Sequence, residues 1–101
     1  MSDTTAQNSI DAVTVEVTKY QVVDAALTGH RDLRLFALQV QLTGDGRWAI
    51  HHQGEYLGED GRWGPEAHGF DHDTALERAK AEAPRVVVNG LTIGDVLARQ
   101  R

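Results

Sequence analysis

The sequence predicts an α+β domain, an antiparallel β-meander of three to four strands packed on one face by two C-terminal helices. Residues 33–42 place Phe36, Leu38, Val40 and Leu42 on one face and Gln39 and Gln41 on the other, a pattern typical of a sheet that is buried on one face. The tetrapeptide DGRW occurs twice, at residues 45–48 and 60–63, each time with a glycine suited to a tight turn. Residues 71–101 carry helix-start and helix-stop signals instead.

Length and composition limit the organisation of the chain. At 101 residues it has the size of one domain, which buries about two-thirds of the surface of the unfolded chain. Residues 1–11 are polar and without periodicity, so we predict a disordered tail there and a single α+β domain over residues 12–101. The polar start contains neither a basic leader nor an apolar run, so we expect no signal peptide, no membrane span and a cytoplasmic protein.

Charge and cysteine content disfavour several classes of function. The 15 acidic and 10 basic residues give a net charge of -5, whereas binding to a phosphate backbone needs an excess of Lys and Arg. We therefore predict no nucleic-acid partner. The absence of cysteine excludes disulfides, a thiol nucleophile and a thiolate zinc site.

The first strands are predicted from two apolar segments. The domain is expected to begin near Val13, where VTVEV alternates, and residues 20–23 resume the apolar character in the opposite parity. Either a bulge near residues 18–19 joins them or they are two short strands. Residues 27–33 are predicted to be a connection, and residues 33–42 the clearest strand.

The pairing of the next strand, residues 47–52, is predicted from loop length. A three-residue loop at 44–46 places Leu42 opposite Trp48 and puts both on the buried face, with the last glycine of the loop in the left-handed conformation. A two-residue loop would move Trp48 to a face shared with polar side chains.

The second hairpin follows the same logic. A three-residue loop at 59–61 places Leu57 opposite Trp63. Gly54 interrupts the alternation before Leu57, so we predict a bulge at residues 53–55 that returns Leu57 to the apolar face. Pro65 is expected to end the last strand.

Capping signals predict both helices. Asp71 is the expected N-cap of the first helix and Pro84 its stop. Thr92 and Asp95 form a capping-box pattern at the start of the second. The intervening VVVNG indicates either a short buried strand with an Asn-Gly turn or an extended connection.

The histidine-rich loop is the candidate metal site. His68, Asp71 and His72 offer ligand types that zinc accepts. The predicted helix begins only at Asp71, so the two histidines lack the geometry of an i, i+4 pair. His51 and His52 point to opposite faces of one strand and cannot share an ion. We predict no cofactor and no metal, and keep a metal- or small-ligand-binding loop at 68–72 as the alternative function.

No motif indicates catalysis. The sequence contains no GxSxG, no SxxK and no glycine-rich phosphate loop, and the acids cluster at predicted turns and helix starts. His52 has the chemistry of a general base, but a satisfied core or edge histidine is the simpler interpretation. We predict a protein without enzymatic activity and assign no catalytic residue.

Aromatic and arginine side chains are the candidate binding residues. Tyr56, Arg62, Trp63 and His51 could form an exposed patch, because Trp, Tyr and Arg dominate binding hot spots. The competing interpretation assigns the tryptophans to the core; we expect this for Trp48, whereas Trp63 lies at the predicted sheet edge. A protein partner or a homodimer is expected to bind the open face of the sheet or an unpaired edge strand.

Two blocks carry a resemblance to a known group. The first is FALQVQLTGDGRWAIHHQGEYLGEDGRWGPE and the second FDHDTALERAKAEAPRVVVNGLTIGDVLAR. Over about residues 35–99 they resemble small hypothetical proteins of actinobacteria and their phages, with a GxGxWAV strand, an LxxDGxW turn and an FDxDTALxxAxxxAPxVxVNGxTxxDVLAR ending. This chain is shorter than that pattern between Trp63 and Phe70. The group has no assigned activity, so the resemblance implies a single fold unit and a lineage but no residue roles.

Overall fold

A computed structural model describes residues 12–99, so the predicted tail of residues 1–11 lies outside the described residues. Within that range the chain forms a five-stranded antiparallel sheet, a small separate hairpin and two α-helices, which confirms the α+β meander with more strands than the three to four predicted. The elements are β1 (Lys19–Val22), β2 (Leu38–Leu42), β3 (Trp48–His52), β4 (Glu55–Leu57), β5 (Trp63–Gly64), α1 (His72–Glu82), β6 (Val87–Val88), β7 (Leu91–Thr92) and α2 (Ile93–Arg99). The five strands of the sheet lie side by side in chain order.

The first hairpin has the predicted register. Leu42 lies opposite Trp48 and Val40 opposite Ile50. Gly46 closes the three-residue loop with a φ of 82°, a value that L side chains adopt only with strain. The loop length therefore puts the large apolar residues of both strands on one buried face.

The second hairpin is confirmed as well, but the predicted bulge at residues 53–55 is wrong. Leu57 lies opposite Trp63, and Gly61 has a φ of 84°. Gln53 and Gly54 both have positive φ, 47° and 87°, and make a two-residue turn that reverses the chain between β3 and β4. The turn, rather than a bulge, returns Leu57 to the apolar face, and it accounts for an additional strand.

The predicted strand over residues 33–42 is correct only from Leu38 onward. Leu33–Phe36 is a 3-10 helix, and a second one spans Ala25–Leu27. The helical turn still buries Phe36 completely. An apolar run this short fits a strand or a helical turn equally well.

The predicted strand over residues 13–17 is also wrong. Strand β1 begins only at Lys19, and residues 13–17 have no regular secondary structure. Strand β2 ends at Leu42, and the chain turns away into the first hairpin loop. The segment therefore has no strand to pair with within residues 12–99.

Both helices begin at the predicted caps. The Asp71 carboxylate accepts the N–H of Thr74 at 3.0 Å, and the buried alanines of α1 let it lie close against the sheet. Asp95 N–H donates to the Thr92 hydroxyl at 3.1 Å while the Asp95 carboxylate accepts the N–H of Thr92 at 2.9 Å, so the capping box is confirmed. None of the helices described in residues 12–99 is long and apolar enough to cross a membrane.

The connection between α1 and α2 is a short strand with an Asn-Gly turn, the first of the two predicted alternatives. Strands β6 and β7 form a hairpin, and Asn89 and Gly90 make its turn with φ values of 52° and 79°.

The main core lies between the five-stranded sheet and the C-terminal elements that begin with α1. Its largest fully buried side chains are Phe36, Leu27, Leu38, Ile50, Leu57 and Val40.

Candidate interaction surfaces

Residues 13–17, here called the valine arm, form an exposed apolar segment. The exposed fractions are 75% for Val13, 93% for Val15 and 57% for Val17. None of the five residues has a positive φ, so the arm can straighten into a strand without left-handed backbone. In a strand the three valines fall on one face.

The arm continues directly from the outer strand of the sheet. The carbonyl of Thr18 accepts the N–H of Leu42 at 2.8 Å, and this is where the contact between β1 and β2 ends. Strand β1 is an outer strand of the sheet, and within residues 12–99 only β2 pairs with it. Its outer edge therefore presents unpaired backbone groups, in line with the arm.

An aromatic cluster of Tyr20, Trp48 and His72 connects β1 to α1. The Tyr20 hydroxyl and His72 Nε2 are 3.0 Å apart, and His72 Nδ1 lies 2.9 Å from the Asp73 carboxylate. The ring of Trp48, 7% exposed, lies 5.5 Å from the Tyr20 ring and 5.2 Å from that of His72. Sequence reasoning missed this cluster because Tyr20 and His72 are 52 positions apart and no local pattern joins them.

The opposite edge of the sheet, at β5, is blunted. Strand β5 has only two residues, and Pro65, which has no backbone N–H, follows directly. The guanidinium of Arg78, on α1, donates to the carbonyls of Gly58 and Glu59 at 3.3 and 2.6 Å. The helix thus holds the loop that leads into this edge.

The predicted binding residues meet near β5. Tyr56, Arg62 and Trp63 line an open depression of about 410 Å³ together with Pro65. His51 does not line it, but its ring lies 4.9 Å from that of Tyr56. The structure therefore brings all four candidates into one neighbourhood, as aromatic and cationic groups on a shallow surface.

Trp63 belongs to both the core and the surface. It is partly buried, packs against the core and also lines a second cavity of about 280 Å³. The other walls of that cavity include His52, Glu82 and Arg85. Trp63 thus lies between two open spaces at the sheet edge.

His51 and His52 point to opposite faces, as predicted, and each has a structural role. His51 Nε2 accepts the N–H of Gly54 at 3.2 Å and supports the turn between β3 and β4. His52 Nε2 lies 2.9 Å from the carbonyl of Leu35, which can only accept, so this nitrogen carries the proton. Neither histidine forms an ion pair with a carboxylate of the described chain.

The candidate metal ligands do not converge. The His68 ring packs 4.6 Å from that of Phe70, Asp71 caps α1, and His72 lies in the aromatic cluster. Over residues 12–99 no group of three or more histidine and carboxylate side chains is arranged to hold a metal ion. The loop thus uses its polar side chains for packing and capping.

Three aspartates have pKa values below the ordinary value, and each stabilises a turn or a cap. The pKa of Asp45 is lowered by the Thr43 hydroxyl and then by the N–H of Arg47. The pKa of Asp71 is lowered by hydrogen bonds from Thr74, and that of Asp95 by hydrogen bonds from Thr92. In each case the hydrogen bonds that lower the pKa are those that hold the turn or the helix cap.

No family model matches the chain, and no curated protein or solved structure is significantly similar to it.

Proposed function

We propose that this protein is a small, non-enzymatic interaction domain that binds another polypeptide by strand pairing along the valine arm, which leads into the edge strand β1. The valine arm carries the proposal, because its three exposed valines continue an unpaired edge strand. Soluble monomers cover or charge such edges, and a flat apolar one is a template for pairing. Strand addition satisfies the backbone groups of the edge and buries one face of side chains.

The sequence of the arm favours a second copy of this chain as the partner. VTVEV has the same alternation read in either direction. In an antiparallel pair centred on Val15, each Val13 faces Val17 of the second copy, and each Thr14 faces Glu16. All six valines then share one face, where directly opposed side chains are close enough to pack. A two-fold axis through Val15 generates this arrangement.

Charge and lineage support the same proposal. The arm carries one charged side chain, Glu16, so two arms can pair with little repulsion although each chain has a net charge of -5. The acidic balance disfavours a nucleic-acid target. The resemblance of residues 35–99 to small actinobacterial and phage proteins supports a cytoplasmic accessory factor of phage or mobile-element origin. No comparable observation favours metal or ligand binding by the loop at 68–72.

Sedimentation equilibrium of the full chain tests the proposal. We expect the wild-type mass to rise from monomer toward dimer as concentration increases. Val15→Glu places two like charges opposite each other at the two-fold axis and is expected to give a monomer throughout. Val87→Glu is the matched control, since Val87 is a half-exposed valine on β6, and it should associate like the wild type. A wild type that stays monomeric up to about 1 mM would overturn the proposal.

A further inference from the structure

The outer edge of β1 presents the backbone groups of two residues. The N–H of Leu42 donates to the carbonyl of Thr18 at 2.8 Å, at the end of the ladder between β1 and β2. In an antiparallel ladder every second residue bonds to the neighbouring strand, so the even-numbered residues of β1 bond to β2, as Thr18 does. The N–H and carbonyl groups of Lys19 and Gln21 therefore point outward, away from β2.

The same alternation continues into the valine arm. In a straightened arm the backbone groups of Val13, Val15 and Val17 point to the same side as those of Lys19 and Gln21, because all five residues have odd numbers. Their side chains, like those of Lys19 and Gln21, then lie on the exposed face of the sheet. The arm and the outer edge of β1 thus form one pairing edge over residues 13–21.

The register of the proposed dimer extends the pairing beyond the arm. With a two-fold axis through Val15, residues at equal distances before and after Val15 face each other in the two copies. Asp11 of one copy therefore lies opposite Lys19 of the other, and Ser9 lies opposite Gln21. Residues 8–11 lie outside the described residues, and their sequence, NSID, contains no proline that would remove a backbone donor.

We propose that residues 9–11 of each copy pair with the outer edge of β1 of the other copy. The proposal rests on strand pairing through the valine arm and identifies the segment that covers the β1 edge. Asp11 and Lys19 form a cross-strand pair of opposite charge, which stabilises an antiparallel pair. Ile10 lies opposite Tyr20, and a β-branched side chain beside an aromatic ring is a favourable cross-strand pair as well. Each outer strand then runs from residue 9 to residue 22 and joins the two five-stranded sheets.

The second copy fits this edge better than the N-terminal segment of the same chain. For residues 9–11 to reach Lys19 of their own chain, the backbone would have to reverse its direction within residues 12–18. The sequence AVTVEVT contains no glycine, proline, asparagine or aspartate, the residues that favour tight turns, and residues 13–17 have no positive φ. The three valines are each more than half exposed, as expected for a segment that leads away from its own domain.

Amide hydrogen exchange of the ¹⁵N-labelled full chain tests the proposal. The N–H groups of Lys19 and Gln21 are expected to exchange about tenfold or more slowly in the wild-type dimer than in the monomeric Val15→Glu variant. The N–H groups of Tyr20 and Val22 are the internal control, because they face β2 and should be protected in both proteins.

The exchange pattern separates this proposal from the pairing of the arm itself. Slow exchange at Val15 together with fast exchange at Lys19 and Gln21 would overturn the pairing at β1 and leave the pairing of the arm intact. Fast exchange at Val15 in the wild type would overturn both. Equal protection of Lys19 and Gln21 in the wild type and in Val15→Glu would show that the chain covers its own edge, and it would overturn the present proposal.

Reversal of the cross-strand charges provides a second test. Asp11→Lys places like charges opposite each other in both symmetric pairs and is expected to weaken dimerisation about fivefold or more in sedimentation equilibrium. Combination with Lys19→Asp is expected to restore the wild-type affinity. Glu66→Lys makes the same change in net charge at an exposed residue near β5 and is expected not to weaken association. Equal effects of Asp11→Lys and Glu66→Lys, or no rescue in the double variant, would overturn the pairing of Asp11 with Lys19.

Discussion

The two outer strands of the sheet leave their edges in opposite conditions. Strand β5 is two residues long, is followed directly by Pro65 and is preceded by a loop whose carbonyls accept hydrogen bonds from Arg78 of α1. Strand β1 is longer, pairs on one side only within the described residues, and continues into three exposed valines. The β5 edge is thus protected against pairing with another strand, whereas the β1 edge is suited to it.

Shortening one aliphatic side chain at each edge is expected to have very different effects on stability. Leu57→Ala, beneath the blunted edge and fully buried, is expected to lower the free energy of unfolding by about 2–5 kcal/mol. Val15→Ala, in the valine arm, is expected to change it by less than about 0.5 kcal/mol. Urea unfolding of dilute monomer measures both. Comparable losses would mean that the arm packs against its own domain, contrary to the proposal.

A smaller effect is expected from the turn that builds the blunted edge. Gly61→Ala forces an L side chain into a φ of 84° and is expected to cost about 1–2 kcal/mol. Gly44→Ala is the control, since Gly44 does not have positive φ and an added Cβ there meets nothing within 4 Å. Thermal unfolding of the two variants compares them. An equal loss at Gly44 would show that the left-handed conformation is not the cause.

The smallest effect is expected in the dependence of stability on acidic pH, through Asp45 in the loop between β2 and β3. The hydrogen bonds of its loop lower the pKa of Asp45 below the ordinary value for an aspartate, so its carboxylate stabilises the fold above that ordinary value. This stabilisation is lost as pH falls through the folded pKa. Asp45→Asn is expected to reduce the loss of stability between about pH 5 and pH 2. Thermal unfolding at several pH values measures this, and a wild-type slope in Asp45→Asn would contradict it.

The parts of the fold that the sequence predicted depend on local rules. The register of both long hairpins follows from matching apolar faces, because a slip of one residue would expose Trp48 or Leu57. The caps at Asp71 and Thr92 are likewise set by residues three positions apart. DGRW occurs twice because each copy ends a three-residue loop and sets a tryptophan opposite a leucine.

The predictions that were wrong concern segments whose structure depends on the position of other strands. Alternation in the valine arm shows which side chains share a face, but pairing requires a neighbouring strand, and β2 ends too early to provide it. Gln53 and Gly54 permit a bulge or a turn, and only the position of β4 distinguishes the two. The contact of Tyr20 with His72 brings together segments 52 positions apart, so no local sequence pattern reveals it.

Disulfide trapping of single-cysteine variants tests the central claim most directly, because the natural chain contains no cysteine. Pairing about Val15 places both copies of that residue opposite each other, within the Cα separation of up to about 7 Å that a disulfide needs. Two copies of Val13 would be offset by four residues, about 13 Å. We predict that Val15→Cys forms a covalent dimer rapidly under mild oxidation, and that Val13→Cys forms one only when mixed with Val17→Cys. Cross-linking of Val15→Cys no faster than that of Val87→Cys on β6 would contradict pairing through the arm.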